Sequence, residues 1–188
     1  MITNLFPTPI YEAKYEEEVE PYIQKCLKLK DTVECGGDDW IGKPYNTLGT
    51  YNLFEDEDFR SLCKWINDHT LKFAGELNLK PFVRRGAWFN IYNKGDYQEF
   101  HDHNFDSVSG IFYLKAKEDD AKSIFMSPLR DLPYEGEFDP KNEYTWKQYL
   151  ITPKQGKLIL FKSDLLHGVE RQKENTNRIT ISFNYSHF

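Results

Sequence analysis

The sequence predicts an antiparallel β-sandwich or barrel with helices packed on one outer face. Three observations carry this. Helical periodicity is confined to the first 80 residues; beyond Pro81 the apolar period changes from 3.6 to 2; and about eight short strands then follow with turn signals between them. An eight-stranded jelly roll is one solution of this kind. A chain of 188 residues reads as a single domain, with 1–80 as a helical support region and 81–188 as the β core. That length buries roughly 70% of the unfolded surface without staples. Phe and Tyr dominate the aromatic content, which favours strands and a bulky core.

The elements follow in order. Phe6, Pro7, Thr8, Pro9, Ile10 and Tyr11 fit an extended edge segment, because two prolines at this spacing exclude a helix. Val19, Ile23, Cys26 and Leu27 recur at helical spacing, with Pro21 tolerated in the first turn and Glu16, Glu17 and Glu18 favourable before it. Residues 31–44 are loop-like around Gly36, Gly37 and Gly42, and 45–54 reads as one further strand. Asp56 is an N-cap for the clearest helix, whose stripe runs Phe59, Leu62, Cys63, Ile66, Thr70, Phe73, Ala74 and Leu77. His69 lies beside that stripe and reads as structural. Strands are then predicted over 82–92, 97–103, 109–115, 122–126, 148–152, 156–162, 167–171 and 178–185.

The net charge of −6 argues against a nucleic-acid partner, which calls for a basic face. Cys26, Cys35 and Cys63 form no Cys-x-x-Cys pair, and an odd number does not complete a disulfide framework, so free thiols in a reducing cytoplasm are expected. The N-terminus lacks the pattern of a signal peptide, and no apolar run approaches the ~20 residues of a membrane span. The expectation is a cytoplasmic protein (host cytoplasm if phage-encoded) with no membrane partner; a homodimer is compatible with this reading.

The chemistry concentrates in Phe100, His101, Asp102 and His103. Histidines at i and i+2 of a strand share a face. His167 follows an apolar run and a turn, and Arg178 opens an alternating strand. The simplest reading is three imidazoles on one metal ion with a guanidinium deeper in the pocket for an anion. Imidazole suits Fe, Zn, Cu and Ni, so these ligands alone do not choose the metal.

The ordered set of words resembles the Fe(II)/2-oxoglutarate-dependent oxygenases, in particular their small bacterial and phage-type branch. The words are Trp88, Phe89, Asn90, Ile91 and Tyr92; Gly95 and Gln98; His101 and His103; 109–114; Pro153 and 156–161; His167, Gly168 and Val169; and 178–184. The resemblance covers 80–188 well and the helical part loosely. It implies a double-stranded β-helix, the cupin-like jelly-roll barrel, with Fe(II) at His101, His103 and His167. It implies 2-oxoglutarate as co-substrate, its far carboxylate on Arg178 and Thr180, with Tyr92, Tyr113 and Gln98 as further cofactor-binding positions. The implied reaction hydroxylates a substrate, a small molecule or a protein, while 2-oxoglutarate is decarboxylated to succinate.

One departure stands out. Most of the superfamily has an acidic residue where this chain has His103. Asp102 points to the opposite face in a regular strand, unless a β-bulge turns it inward. Three neutral imidazoles leave Fe(II) one unit more positive than two histidines and a carboxylate. The set is also that of three-histidine dioxygenases that need no 2-oxoglutarate, and a non-catalytic jelly-roll module is a third reading. The insertion 127–147, with Arg130, Tyr134, Phe138, Tyr144 and Trp146, reads as a lid, a decoration or an oligomer contact. His187 is placed outside the site.

Overall fold

The computed structural model describes residues 3, 6–37, 40–79, 83–129, 139 and 141–187. Its elements in chain order are β1 (Ile10–Lys14), α1 (Glu20–Lys30), β2 (Tyr45–Asn46), α2 (Arg60–Glu76), β3 (Val83–Tyr92), β4 (Gln98–His101), β5 (Val108–Lys115), β6 (Ser123–Met126), β7 (Gln148–Ile151), β8 (Lys157–Lys162), β9 (His167–Val169) and β10 (Arg178–Ser186). Asp38, Asp39, Pro81, Phe82, Arg130, Tyr134 and Phe138 lie outside the described residues.

The strands form two antiparallel sheets: six strands in the order β1-β8-β5-β10-β3-β2, and four in the order β4-β9-β6-β7. Two antiparallel sheets with helices on one face are what the period change predicts, and the jelly roll is the solution of that kind that the family resemblance implies. The proline-flanked segment is indeed an edge strand, paired among the described residues only with β8. In α1, Pro21 sits where its missing N–H has no intrahelical partner to lose, and Lys28 and Lys30 face the negative end of the helix dipole. Asp56 does cap, but a 3₁₀ turn: its carboxylate accepts from Asp58 N at 2.8 Å, and α2 begins after Glu57–Phe59.

The strand expected over 45–54 shortens to β2. Past Asn46 the chain turns, with Gly49 at φ +78°, into a 3₁₀ turn over Leu53–Glu55. Asn52 explains the break, because its side-chain oxygen accepts from both Phe54 N and Ala87 N and ties the turn to β3.

Strand parity divides the large sheet between two clients. Ala87, Phe89 and Ile91 of β3, Phe112 and Leu114 of β5, Leu158 and Leu160 of β8, and Ile179, Ile181, Phe183 and Tyr185 of β10 face the helices. There they pack with Ile23 and Cys26 of α1 and with Leu62, Ile66 and Phe73 of α2. The opposite face meets the small sheet, where Ile111, Tyr113, Phe125, Ile151, Ile159, Phe161 and Leu165 form a second cluster. Gly110 sits between its cross-strand partners Phe183 of β10 and Leu160 of β8. A Cβ there would lie 2.1 Å from the Phe183 ring.

Candidate metal centre

The second face of β10 is polar and buried. Arg178, Thr180, Ser182 and Asn184 line a pocket with Trp88, Asn90 and Tyr92 of the adjacent β3, in a space of about 640 Å³ that includes its open mouth. Register places these side chains: Arg178 lies opposite Tyr92, Thr180 opposite Asn90 and Ser182 opposite Trp88. The alternation that reads as a half-buried strand is therefore a fully covered one, with helices on one side and the pocket on the other.

The small sheet supplies the histidines. His101 of β4 is the direct cross-strand partner of His167 in β9, and their ring centroids are 4.3 Å apart. His103, two residues beyond the end of β4, brings its ring to 5.1 Å from that of His101 and 5.4 Å from that of His167. One nitrogen from each of the three lies within 4.8 Å of the others. Asp102 is exposed and outside this group. A bulge does occur, but upstream: Gln98 pairs with Val169 and His101 with His167, so β4 carries one residue more than β9 between them. That extra residue puts Gln98 on the same face as His101, and both line the pocket.

Hydrogen bonds fix two of the rings. His101 Nδ1 lies 2.8 Å from the Glu99 carbonyl and His167 Nδ1 lies 2.8 Å from the Leu165 carbonyl. A carbonyl can only accept, so Nδ1 carries the proton and Nε2 keeps its lone pair for the pocket. Burial pushes all three histidines below their ordinary value of 6.5, His103 to about 4 and His167 to about 3, with the neighbouring His101 adding to the effect on both. They are neutral, the form that binds metal. Asn184 stands behind His103: its Nδ2 lies 3.2 Å from His103 Nδ1, while its Oδ1 accepts from Ser109 Oγ at 2.8 Å. Ser109 Oγ in turn lies 2.8 Å from Ser163 Oγ.

Arg178 is 1% exposed, and Nε, Nη1 and Nη2 all lack a hydrogen-bond partner among the described residues. Its guanidinium lies over the rings of Tyr92 at 4.7 Å and Tyr113 at 5.4 Å. Burial raises both phenols, and the Arg178 charge partly offsets this. Tyr113 OH pairs with Ser123 Oγ at 2.7 Å. Thr180, also buried, accepts from Asn90 Nδ2 at 3.4 Å. Gln98 Nε2 is a further buried donor without a partner among the described residues. The buried Asp120 carboxylate feels the Arg178 charge, but three donor nitrogens stay idle, and burying donors without acceptors is costly until a ligand supplies them. Arg178 is thus shaped for a bidentate carboxylate.

The structure brings together His101, His103, His167, Arg178, Thr180, Tyr92 and Gln98 around one pocket, with Tyr113 beside Arg178. Trp40, Trp88, Asn90, Ser182 and Asn184 also line it; the last four fall within the family words but carry no site role in the sequence reading, and Trp40 is not named there. Parity with Tyr92 and Arg178 is the signal that marks Trp88, Asn90, Ser182 and Asn184. Trp40, from a loop, has none. His69 bonds Tyr11 OH through Nδ1 at 2.7 Å and packs on Trp65, far from the triad in role. His187 is held by Ser107 Oγ. None of the described residues in 127–147 lines the pocket; Trp146 stacks on Tyr149 instead. Among the described residues, no helix is long and apolar enough to cross a membrane.

Comparison with solved structures returns the same architecture at low identity. The epimerase SnoN, solved with Fe3+, alpha ketoglutarate and nogalamycin RO, is 12% identical with a TM-score of 0.67, over 95% of this chain and 79% of that one. HygX from Streptomyces hygroscopicus, with nickel, 2-oxoglutarate and hygromycin B bound, is 11% identical with a TM-score of 0.64, over 95% and 83%. A Pseudomonas putida prolyl-4-hydroxylase is 13% identical with a TM-score of 0.63, over 96% and 94%. The chain spans 55% of a Burkholderia pseudomallei oxidoreductase of the 2OG-Fe(II) oxygenase family, at a TM-score of 0.48. A search of the curated proteins found no match. The model of the family described as "Putative 2OG-Fe(II) oxygenase" matches residues 86–184, more than half of the chain, from within β3 to within β10, and includes all three histidines and Arg178. With that match, the chain belongs to the 2OG-Fe(II) oxygenase family.

Proposed function

We propose that the protein is a non-haem Fe(II)- and 2-oxoglutarate-dependent dioxygenase that hydroxylates an organic substrate. The observation that carries this reading is Arg178, buried with its three donor nitrogens unpaired among the described residues, in the pocket that also holds the histidine triad. A dioxygenase working without a dianionic co-substrate has no use for such a cation. His101, His103 and His167 would hold the iron, and Arg178 with Thr180 the distal carboxylate of 2-oxoglutarate. Tyr92 and Tyr113 wall the guanidinium in and keep water from it, and Gln98 offers its idle amide to the same ligand. Iron and 2-oxoglutarate together supply the activation of O2, coupled to decarboxylation of the co-substrate to succinate.

The residues fit this cargo, with one adjustment. Where Asn184 Nδ2 donates to His103 Nδ1, the ring proton sits on Nε2 and blocks it as a ligand. Turning the amide over lets Oδ1 accept from Nδ1–H while Nδ2 donates to Ser109 Oγ. The Ser109 hydroxyl permits this by reversing role and passing its own proton to Ser163, while the turn gives up the hydrogen bond of Asn184 to the Asp106 carboxyl. With three neutral ligands the metal keeps its full double charge, which strengthens its attraction for a dianion.

The test is anaerobic titration of the metal-free protein with Fe(II) and then 2-oxoglutarate, followed by visible absorption. The expected outcome is a weak charge-transfer band that Arg178→Ala abolishes. Iron uptake without a band would favour the three-histidine, co-substrate-free dioxygenase, for which the missing carboxylate ligand speaks. No iron uptake would leave a binding module.

A further inference from the structure

We propose that Glu99 is a two-ended positioning residue whose carboxylate lays Trp40 against His101 as a wall over the open face of the metal centre. The proposal rests on the triad being a metal site.

The geometry is local. Through its main-chain carbonyl, Glu99 orients the His101 ring. Its carboxylate reaches the other way and accepts from two consecutive main-chain N–H groups, Ile41 N at 2.6 Å and Gly42 N at 3.1 Å. Among the described residues it makes no ion pair, so the turn at 40–42 is what it holds. That turn lies directly on the chain entering β4: a Cβ on Gly42 would meet Tyr97 O at 2.1 Å. Held there, the turn sends Ile41 into solvent, 75% exposed, and Trp40 inward. The Trp40 ring meets His101 edge-on, with centroids 4.8 Å apart.

Two features argue against mere packing. The bulge in β4 sets Glu99 and Phe100 together against the single residue Gly168, so a carboxylate can leave the strand sideways while the side chains of Gln98 and His101 stay in the pocket. And Trp40 touches a histidine of the triad instead of joining either hydrophobic cluster. An indole in that place narrows the approach to the metal for whatever molecule enters the pocket. A large, rigid ring can set size selectivity there at little entropic cost.

Ni(II) serves as a redox-inert probe. It should quench tryptophan fluorescence in the wild-type protein; Trp40→Phe should remove most of that quench and Trp88→Phe should not. Removal of Ni(II) by EDTA should speed up about fivefold or more in Trp40→Ala and in Glu99→Ala, while Ni(II) affinity by calorimetry stays within about threefold, because the carbonyl that orients His101 survives both changes. Glu99→Gln, which keeps one acceptor, should fall between wild type and Glu99→Ala. In metal-free protein, Glu99→Ala should raise acrylamide quenching, and the rise should vanish in a Trp40→Phe background. The proposal is overturned if Trp40→Phe keeps the full Ni(II) quench, or if Glu99→Ala leaves acrylamide access and stripping rate unchanged. Absence of Ni(II) uptake by wild-type protein would remove the metal reading and the shielding role together. The acrylamide result needs no metal, so it would still separate that failure from a turn that Glu99 does not hold.

Discussion

At the scale of single residues, Arg178 sets the tension in this molecule. A guanidinium 1% exposed, with no hydrogen-bonding partner among the described residues, is compensated in the ligand-free protein by the faces of Tyr92 and Tyr113 and by the charge of the buried Asp120 carboxylate, and no acceptor meets its donors. Replacing it with an apolar side chain of similar length should therefore stabilise the empty fold. Arg178→Met is expected to raise the unfolding temperature of the metal-free protein and to abolish the further rise that 2-oxoglutarate gives with Fe(II) present; thermal scans with and without co-substrate read both. Asn184 presents the complementary case. It touches His103 and the Ser109–Ser163 pair, so Asn184→Ala should weaken Ni(II) or Fe(II) binding by about tenfold or more while leaving the fold intact, measured by calorimetry beside thermal unfolding.

At the scale of elements, the helices and strands were legible because their apolar periods differ. The stripe of α2 and the alternation of β10 each announce a buried face. Leu62 and Ile66 of α2 are fully buried against the large sheet, and Ile66→Ala is expected to cost about 2–5 kcal/mol in denaturant unfolding with metal affinity unchanged, because α2 packs on the face away from the pocket. Other features were hidden for physical reasons. The β4 bulge depends on how two distant strands pair, and no property of residues 98–101 alone announces it. The shortening of β2 depends on Asn52 reaching Ala87, 35 residues on. Trp40 arrives from a loop, where no period exists to mark it. The triad itself was legible as spacing, yet which side Asp102 takes was settled only by the backbone.

At the scale of the whole molecule, the two faces of the large sheet separate stability from chemistry, but pH couples them again. The three histidines take up protons near pH 6.5 when unfolded, whereas in the fold His103 resists until about 4 and His167 until about 3. Between those values the unfolded chain binds more protons, so acid favours unfolding. The contribution of these groups is complete above pH 6.5 and is lost as the pH falls through that window. The metal-free protein should show a falling unfolding temperature from pH 6.5 toward 4, and His103→Asn should flatten part of that slope in a pH series of thermal scans.

The alternation of β10 has a consequence for how such a chain can change over generations. From Arg178 to Asn184 its even positions belong to the pocket and its odd positions pack toward the helices, with Phe183 also reaching the pocket wall. Gaining or losing a single residue inside the strand would exchange the two sets at once, driving a guanidinium into the oily layer and isoleucines into the chamber. Such a strand tolerates spelling changes but no shift of reading frame. Novelty in what the protein acts upon is thus channelled to segments free of that constraint, such as the turn that carries Trp40.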